Sequence, residues 1–308
     1  MAEHKELEKV LQDLKVLTGI SFQVSMPDEL DIETTVKKIR QLTGAYKEKY
    51  NKTNFIQNLL MDNILQVDLY NRAKKLHIDI EANRTVFLVE TRKEDEGIVL
   101  ETLQQLFTLQ MRDYITSVDE GNLVLVKYME PKDSFEDMLE DMHMTAKTIV
   151  DMINSEAMVK VRVAYGNPSS KLENLSKSYK EARMALEVGR IFYSDAKIIP
   201  YGRLGIGRLI YQLPIPLCKM YLEEVFGDKL PDSFDEETVM TINKFFDNNL
   251  NISETARQMY IHRNTLVYRL EKLQKQTGLD IRVFEDALTF KIAAMVASYM
   301  KFRKEDLK

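Results

Sequence analysis

The clearest hydrophobic pattern lies near the carboxyl end. Leu266, Leu270 and Leu273 recur at spacings of four and three, so they form one apolar stripe along an α-helix that begins near Arg263. The opposite face carries Arg263, Asn264, Thr265, Val267, Tyr268 and Arg269. Just upstream, Ala256 and Met259 share a face of a shorter helix, with Ser253 placed to cap its first turn. Tyr260-Ile261-His262 reads as the turn between the two helices, with Ile261 plugging the core. A helix starting near Ser233 precedes this pair and buries Val239, Ile242, Phe245 and Phe246; a helix over 283–300 follows it. Gly278 ends the reading helix, because glycine takes the left-handed conformation at low cost. The arrangement is a helix-turn-helix.

Upstream the periodicity changes. Residues 5–17 are helical in pattern, residues 20–24 alternate as a strand, and residues 31–50 and 54–76 return to helical spacing. Then strands over 85–90, 114–118, 123–128 and 159–165 alternate with helices over 98–111, 138–153 and 169–189, and Ile198-Ile199 closes the block. That order, β-α-β-β-α-β followed by a helix and a strand, predicts a ferredoxin-like or cyclase-like core. Pro214, Pro216 and Pro231 punctuate a short helix over 217–225. The expected fold class is a multidomain α+β protein. It has a mainly helical N-terminal region for sensing or dimerisation (1–50), an α/β middle domain (51–205), a linker (206–232) and an all-α helix-turn-helix domain (233–308).

Composition narrows the function. With 308 residues, 44% hydrophobic and 30% charged, the chain reads as two or three folded domains. The lone cysteine, Cys218, excludes an internal disulfide framework, fits a cytoplasmic protein, and reads as a buried thiol beside Leu217 and Met220. The charged opening residues do not resemble a signal peptide, and no apolar run approaches the ~18 residues of a membrane span. A net charge of −5 argues against broad nucleic-acid affinity. Between residues 257 and 275, however, Arg257, Arg263, Arg269, Lys272 and Lys275 face only Glu271. Arg can grip guanine O6 and N7 with two donors, Asn can grip adenine N6 and N7, and Thr and Tyr hydroxyls suit phosphates. The expected DNA-contacting set is Ser253, His262, Arg263, Asn264, Thr265, Tyr268, Arg269 and Lys272. On spacing alone, a helical hairpin with a solvated basic face is the competing reading.

Specific strings favour the first reading. Thr255-Ala256, Ile261-His262-Arg263-Asn264-Thr265-Leu266, Tyr268-Arg269-Leu270 and Thr277-Gly278-Leu279-Asp280 resemble the C-terminal DNA-binding domain of the PucR/sugar diacid regulator (CdaR) family of bacterial transcription factors, as does Phe284-Glu285-Asp286-Ala287. Ser178-Tyr179-x-x-Ala182-Arg183-x-Ala185-Leu186 and Tyr201-x-x-Leu204-Gly205 are similar to the degenerate GGDEF-like domain of those regulators. Active cyclases of that fold hold Mg²⁺ and triphosphate with Gly-Gly-Asp/Glu-Glu-Phe on a hairpin. Here the hairpin reads Asp119-Glu120-Gly121-Asn122-Leu123, which leaves Glu90 as a single stand-in ligand.

The resemblance therefore implies a regulator that is not an enzyme and has no cofactor. Its partners are double-stranded DNA, an unknown small-molecule effector and a second copy of itself as homodimer or higher oligomer, with no membrane. No catalytic or metal-ligating set is assigned. Met138, Met142, His143 and Met144 read as a packed helix with a surface histidine, and His4 and His77 lack ligand-like neighbours. The alternatives are a nucleotide cyclase with a DNA-binding tail, and a protein-interaction module that no longer touches DNA.

Overall fold

A computed structural model describes residues 7–12, 14–15, 32–107, 112–227 and 234–305, with the side chains of 45–51 and 305 excepted. The chain divides into two compact units, Met1–Leu186 with Ala196–Arg203, and Glu187–Asp195 with Leu204–Lys308.

The first unit opens on helical residues 7–12 and 14–15, which bury Val10 and Leu14 against Val36 and Ile39 of helix α1 (Ile32–Leu60). The strand expected at 20–24 lies outside the described residues. Two expectations change here. The helices placed at 31–50 and 54–76 meet as one helix, α1, which continues across residue 50 and stops at Leu60. Asp62 takes a left-handed conformation (φ 57°), and the N–H groups of Asp62 and Asn63 return to the carbonyls of Leu59 and Asn58. That closed turn ends α1, and α2 (Gln66–Lys75) starts afresh. Leu65 and Val67, exposed at 75% and 83%, kept the apolar pattern running in sequence without joining the core.

The sheet follows: β1 (Arg84–Glu90), α3 (Glu96–Phe107), β2 (Tyr114–Asp119), β3 (Asn122–Tyr128), α4 (Phe135–Met152), β4 (Arg162–Tyr165), α5 (Leu175–Phe192) and β5 (Ile198–Pro200). Strand order is β2-β3-β1-β4-β5, with β1 antiparallel to both β3 and β4 and β4 parallel to β5. Alternation places Phe87, Val89, Leu123, Leu125, Val163 and Tyr165 on one face. They pack there against Val99 and Leu103 of α3 and Met142, Ala146 and Ile149 of α4. On the other face, Ser178 of α5 accepts the Val86 N–H at 3.3 Å, and Gln57 of α1 donates to the Ser117 carbonyl at 3.0 Å. Ser134 caps α4 by accepting the Asp137 N–H at 3.0 Å.

The second unit is helical: α6 (Ile206–Tyr211), α7 (Ile215–Phe226), α8 (Glu236–Asp247), α9 (Ile252–Gln258), α10 (Arg263–Thr277) and α11 (Phe284–Glu305). Residues 206–227, expected as linker, are built into its core. Ile210, Cys218, Leu222 and Phe226 share one apolar cluster with Leu266, Leu270, Leu273 and Phe290. Of the prolines that suggested a connector, Pro214 and Pro216 instead start α7, since Pro in the first turn sacrifices no helical hydrogen bond; Pro231 lies outside the described residues. Cys218 is fully buried, and that burial pushes its thiol pKa up.

At the β2–β3 hairpin Gly121 has φ 77°, and a Cβ there would sit 2.7 Å from the Thr91 carbonyl oxygen. Gly121→Ala is expected to destabilise the chain by about 1–3 kcal/mol, from left-handed strain and the clash. A urea titration followed by circular dichroism checks this, and an unchanged midpoint would contradict the tight docking of that turn.

Candidate nucleic-acid interface

Three helices set the geometry. Asn251, rather than Ser253, caps α9: its Oδ1 accepts the Glu254 N–H at 3.0 Å. Ser253 falls inside the helix, so its hydroxyl is not in the capping position. The signal was present in sequence as an Asn with Glu three residues on. The α9 helix then ends in a reversal where the N–H groups of Tyr260 and Ile261 return to the carbonyls of Arg257 and Ala256. Tyr260 takes φ 53° there, unusual for a non-glycine residue, and is 97% exposed. Ile261 packs partly buried against the core, as its plug role requires. His262 caps α10, its Nδ1 accepting the Asn264 N–H at 3.2 Å. The turn placed at residues 260–262 thus ends in a cap made by a histidine ring nitrogen.

Behind α10, Leu266, Leu270 and Leu273 are at most 2% exposed. Ala256 and Thr255 of α9 are buried beside them. Fixing that face fixes the opposite one. Arg263, Asn264, Thr265, Tyr268 and Lys272 are exposed, as are Ser253 and His262.

Arg269 sits differently. It is half-buried, its Nη2 bonds Glu237 of α8 at 2.5 Å, and its Nη1 approaches the Thr241 hydroxyl at 3.3 Å. Arg257 is likewise paired, with Glu254 at 2.6 Å, and this contact holds the Glu254 carboxyl below its ordinary pKa. Of the five cations counted between 257 and 275, two are thus held by carboxylates of the same domain, Glu237 and Glu254, both of which lie outside the counted window. Arg263, Lys272 and Lys275 remain exposed along α10. Arg282, paired with Asp280 at 2.7 Å, braces the exit from α10.

The cyclase alternative looks instead to the hairpin. There Glu96, at the start of α3, accepts the Ser117 hydroxyl at 2.8 Å and the Gly121 N–H at 3.2 Å, while Lys93 pairs with Glu120 at 2.7 Å. The Ser117 hydroxyl, the Gly121 N–H and the Lys93 ammonium are thus each paired with a carboxylate of the protein. Glu90, the stand-in metal ligand, lies 3.5 Å from Arg162. Among the described residues, no group of three or more His, Cys, Asp or Glu side chains is placed to hold a metal ion.

Residues 238–296 match the PucR C-terminal helix-turn-helix domain, and residues 62–188 match a GGDEF-like domain. Together with the relatives below, these matches support a regulator of the PucR/sugar diacid type. Among PucR-family relatives, the purine catabolism regulatory protein of Bacillus subtilis (strain 168) is 26% identical over 179 residues, covering 56% of this chain and 33% of that protein. The carbohydrate diacid regulator of Escherichia coli (strain K12) is 24% identical over 260 residues, covering 76% and 63%. The proline-responsive transcriptional activator PutR of Bacillus subtilis (strain 168) is 24% identical over 275 residues, covering 83% and 66%. The chain therefore spans less than two thirds of the length of each of these three relatives. No helix among the described residues is long and apolar enough to cross a membrane.

The cap assignment is testable. Asn251→Ala should cost about 0.5–2 kcal/mol of stability, and Ser253→Ala within about 0.5 kcal/mol of nothing. Thermal unfolding of both variants checks it; the reverse ranking would overturn the assignment.

Proposed function

We propose that this chain is an effector-responsive transcription regulator that reads duplex DNA with α10 as its recognition helix. The observation that carries the reading is the two-sidedness of that helix. A fully buried leucine stripe holds it rigid, and its first two turns offer Arg263, Asn264, Thr265 and Tyr268 outward together. The helix N-terminus and its polar side chains suit phosphates, while Arg263 and Asn264 have bidentate chemistry for base edges in the major groove.

Within the expected set, Ser253, His262, Thr265, Tyr268 and Lys272 fix register on the backbone. Arg269 acts mainly by locking α10 to α8 through Glu237. Tyr260 joins them as an exposed aromatic tip beside the helix start. A backbone strained for a non-glycine residue and a fully presented ring together favour a contact role there.

Three exposed cations on one α10 give weak binding alone. Function as a homodimer or higher oligomer follows, with half-sites about 34 Å apart or a multiple of it. The protein acts in the cytoplasm and is not a cyclase; engagement of the hairpin donors by Glu96 supports the second point.

Mapping of bound genomic DNA would supply a specific duplex. On it, Arg263→Ala should lose about 1–3 kcal/mol of affinity and relax preference at one base pair. Unchanged affinity in an anisotropy titration would remove Arg263 from the reading set. No binding to any duplex at low salt, where phosphate attraction is strongest, would instead favour the protein-interaction reading. Tyr260→Gly should raise thermal stability by about 1 kcal/mol through relief of left-handed strain while weakening DNA binding. Gain of stability with full affinity would confine Tyr260 to the turn.

A further inference from the structure

Arg84, the first residue of β1, is 1% exposed, yet none of the described salt bridges involves it. Its side-chain hydrogen bond is a long one, 3.4 Å from Nη1 to the Ala82 carbonyl, and its Nε is buried with no partner. A guanidinium keeps its proton inside proteins. Buried with no carboxylate in salt-bridge contact, it carries a desolvation penalty that lowers its pKa and that the charge of Asp79 only partly offsets.

The neighbouring acids are committed elsewhere. Asp113 accepts the Tyr128 N–H at 2.8 Å and the Lys127 ammonium at 2.9 Å. Asp79 accepts the Glu81 N–H at 3.1 Å. A second guanidinium approaches the same place: the Cζ of Arg112 lies 4.6 Å from the centroid of the Tyr128 ring, and Tyr128 is the cross-strand partner of Arg84. Arg112 is exposed, and its positive charge disfavours that of Arg84. Like charges so placed repel, and an anion between them relieves both the repulsion and the missing partner.

We propose that this end of the sheet, where β1 begins and β3 ends, is a binding site for a small-molecule anion. A carboxylate or phosphate group is seated between the Arg84 and Arg112 guanidiniums. The planar fork of arginine matches the paired oxygens of either group. The burial of Arg84 restricts access to a small molecule and excludes a nucleic-acid backbone. This site goes beyond DNA reading and supplies the sheet unit with a ligand of its own.

Thermal unfolding of the full chain, titrated with sodium phosphate, sodium succinate or sodium chloride at matched ionic strength, tests it without DNA. Phosphate or succinate should give a saturable rise in Tm that chloride does not, because a ligand binding only the folded state stabilises it. The anion that does so identifies the group. Arg84→Met should abolish the rise while melting at an equal or higher temperature without anion, since an apolar side chain replaces an unpaired buried charge. Arg112→Gln, at an exposed position, should weaken the apparent Kd about tenfold through loss of a charge-assisted bond. No rise above chloride in the wild type, or a full rise in Arg84→Met, overturns the site. Should Arg84→Met not fold, an unchanged Kd in Arg112→Gln overturns it. DNA binding is not read in this experiment, so its failure leaves the DNA reading standing.

Discussion

Burial of Leu266, Leu270 and Leu273 is the constraint on which the second unit depends. Each leucine removes apolar surface from water worth about 1.5–3 kcal/mol, and all three lie on one side of α10. With that side fixed, rotation of the helix is fixed too. Arg263, Asn264, Thr265 and Tyr268 have nowhere to point but outward. The caps refine the same placement: Asn251 starts α9, His262 starts α10 and Gly278 ends α10 in the left-handed conformation. Stability and presentation are thus two consequences of one packing arrangement.

Charge is arranged on top of that frame. Glu237 draws Arg269 toward the scaffold helix, and Glu254 holds Arg257 on α9. The outward face keeps fewer available cations than a count along the sequence gives. A modest basic edge on a chain of net charge −5 limits non-specific attraction to phosphates. In the proposed reading it leaves discrimination to the few groups at the start of α10, and pairing of two chains would gather further contacts. The hairpin of the sheet unit shows the same economy, with Glu96 satisfying donors at Ser117 and Gly121.

Periodicity made most of the fold legible. The leucine stripe of α10, the alternation of β1 and β3 and the Asp119–Asn122 hairpin all stand in the structure near where their patterns place them. Four features escaped for physical reasons. The break at Asp62 was hidden because exposed Leu65 and Val67 prolonged an apolar rhythm that the core does not use. Residues 206–227 looked like a connector because proline density resembles a linker, whereas Ile210, Cys218 and Leu222 are core. The Arg269–Glu237 pair joins residues 32 apart, and Arg84 is isolated by burial; neither tertiary fact leaves a local trace in the chain. The family strings supplied what spacing could not, a choice between a DNA-reading helix pair and an ordinary helical hairpin.

The most direct measurement is photo-crosslinking of the full chain to a bromodeoxyuridine-substituted duplex taken from its bound genomic fragments, with the cross-linked peptides sequenced. Cross-links should concentrate within residues 260–272, on the outward side of α10 and its leading turn. Efficient cross-links confined to the sheet unit, or to the outer faces of α7 and α11, with none between 260 and 272, would contradict the account.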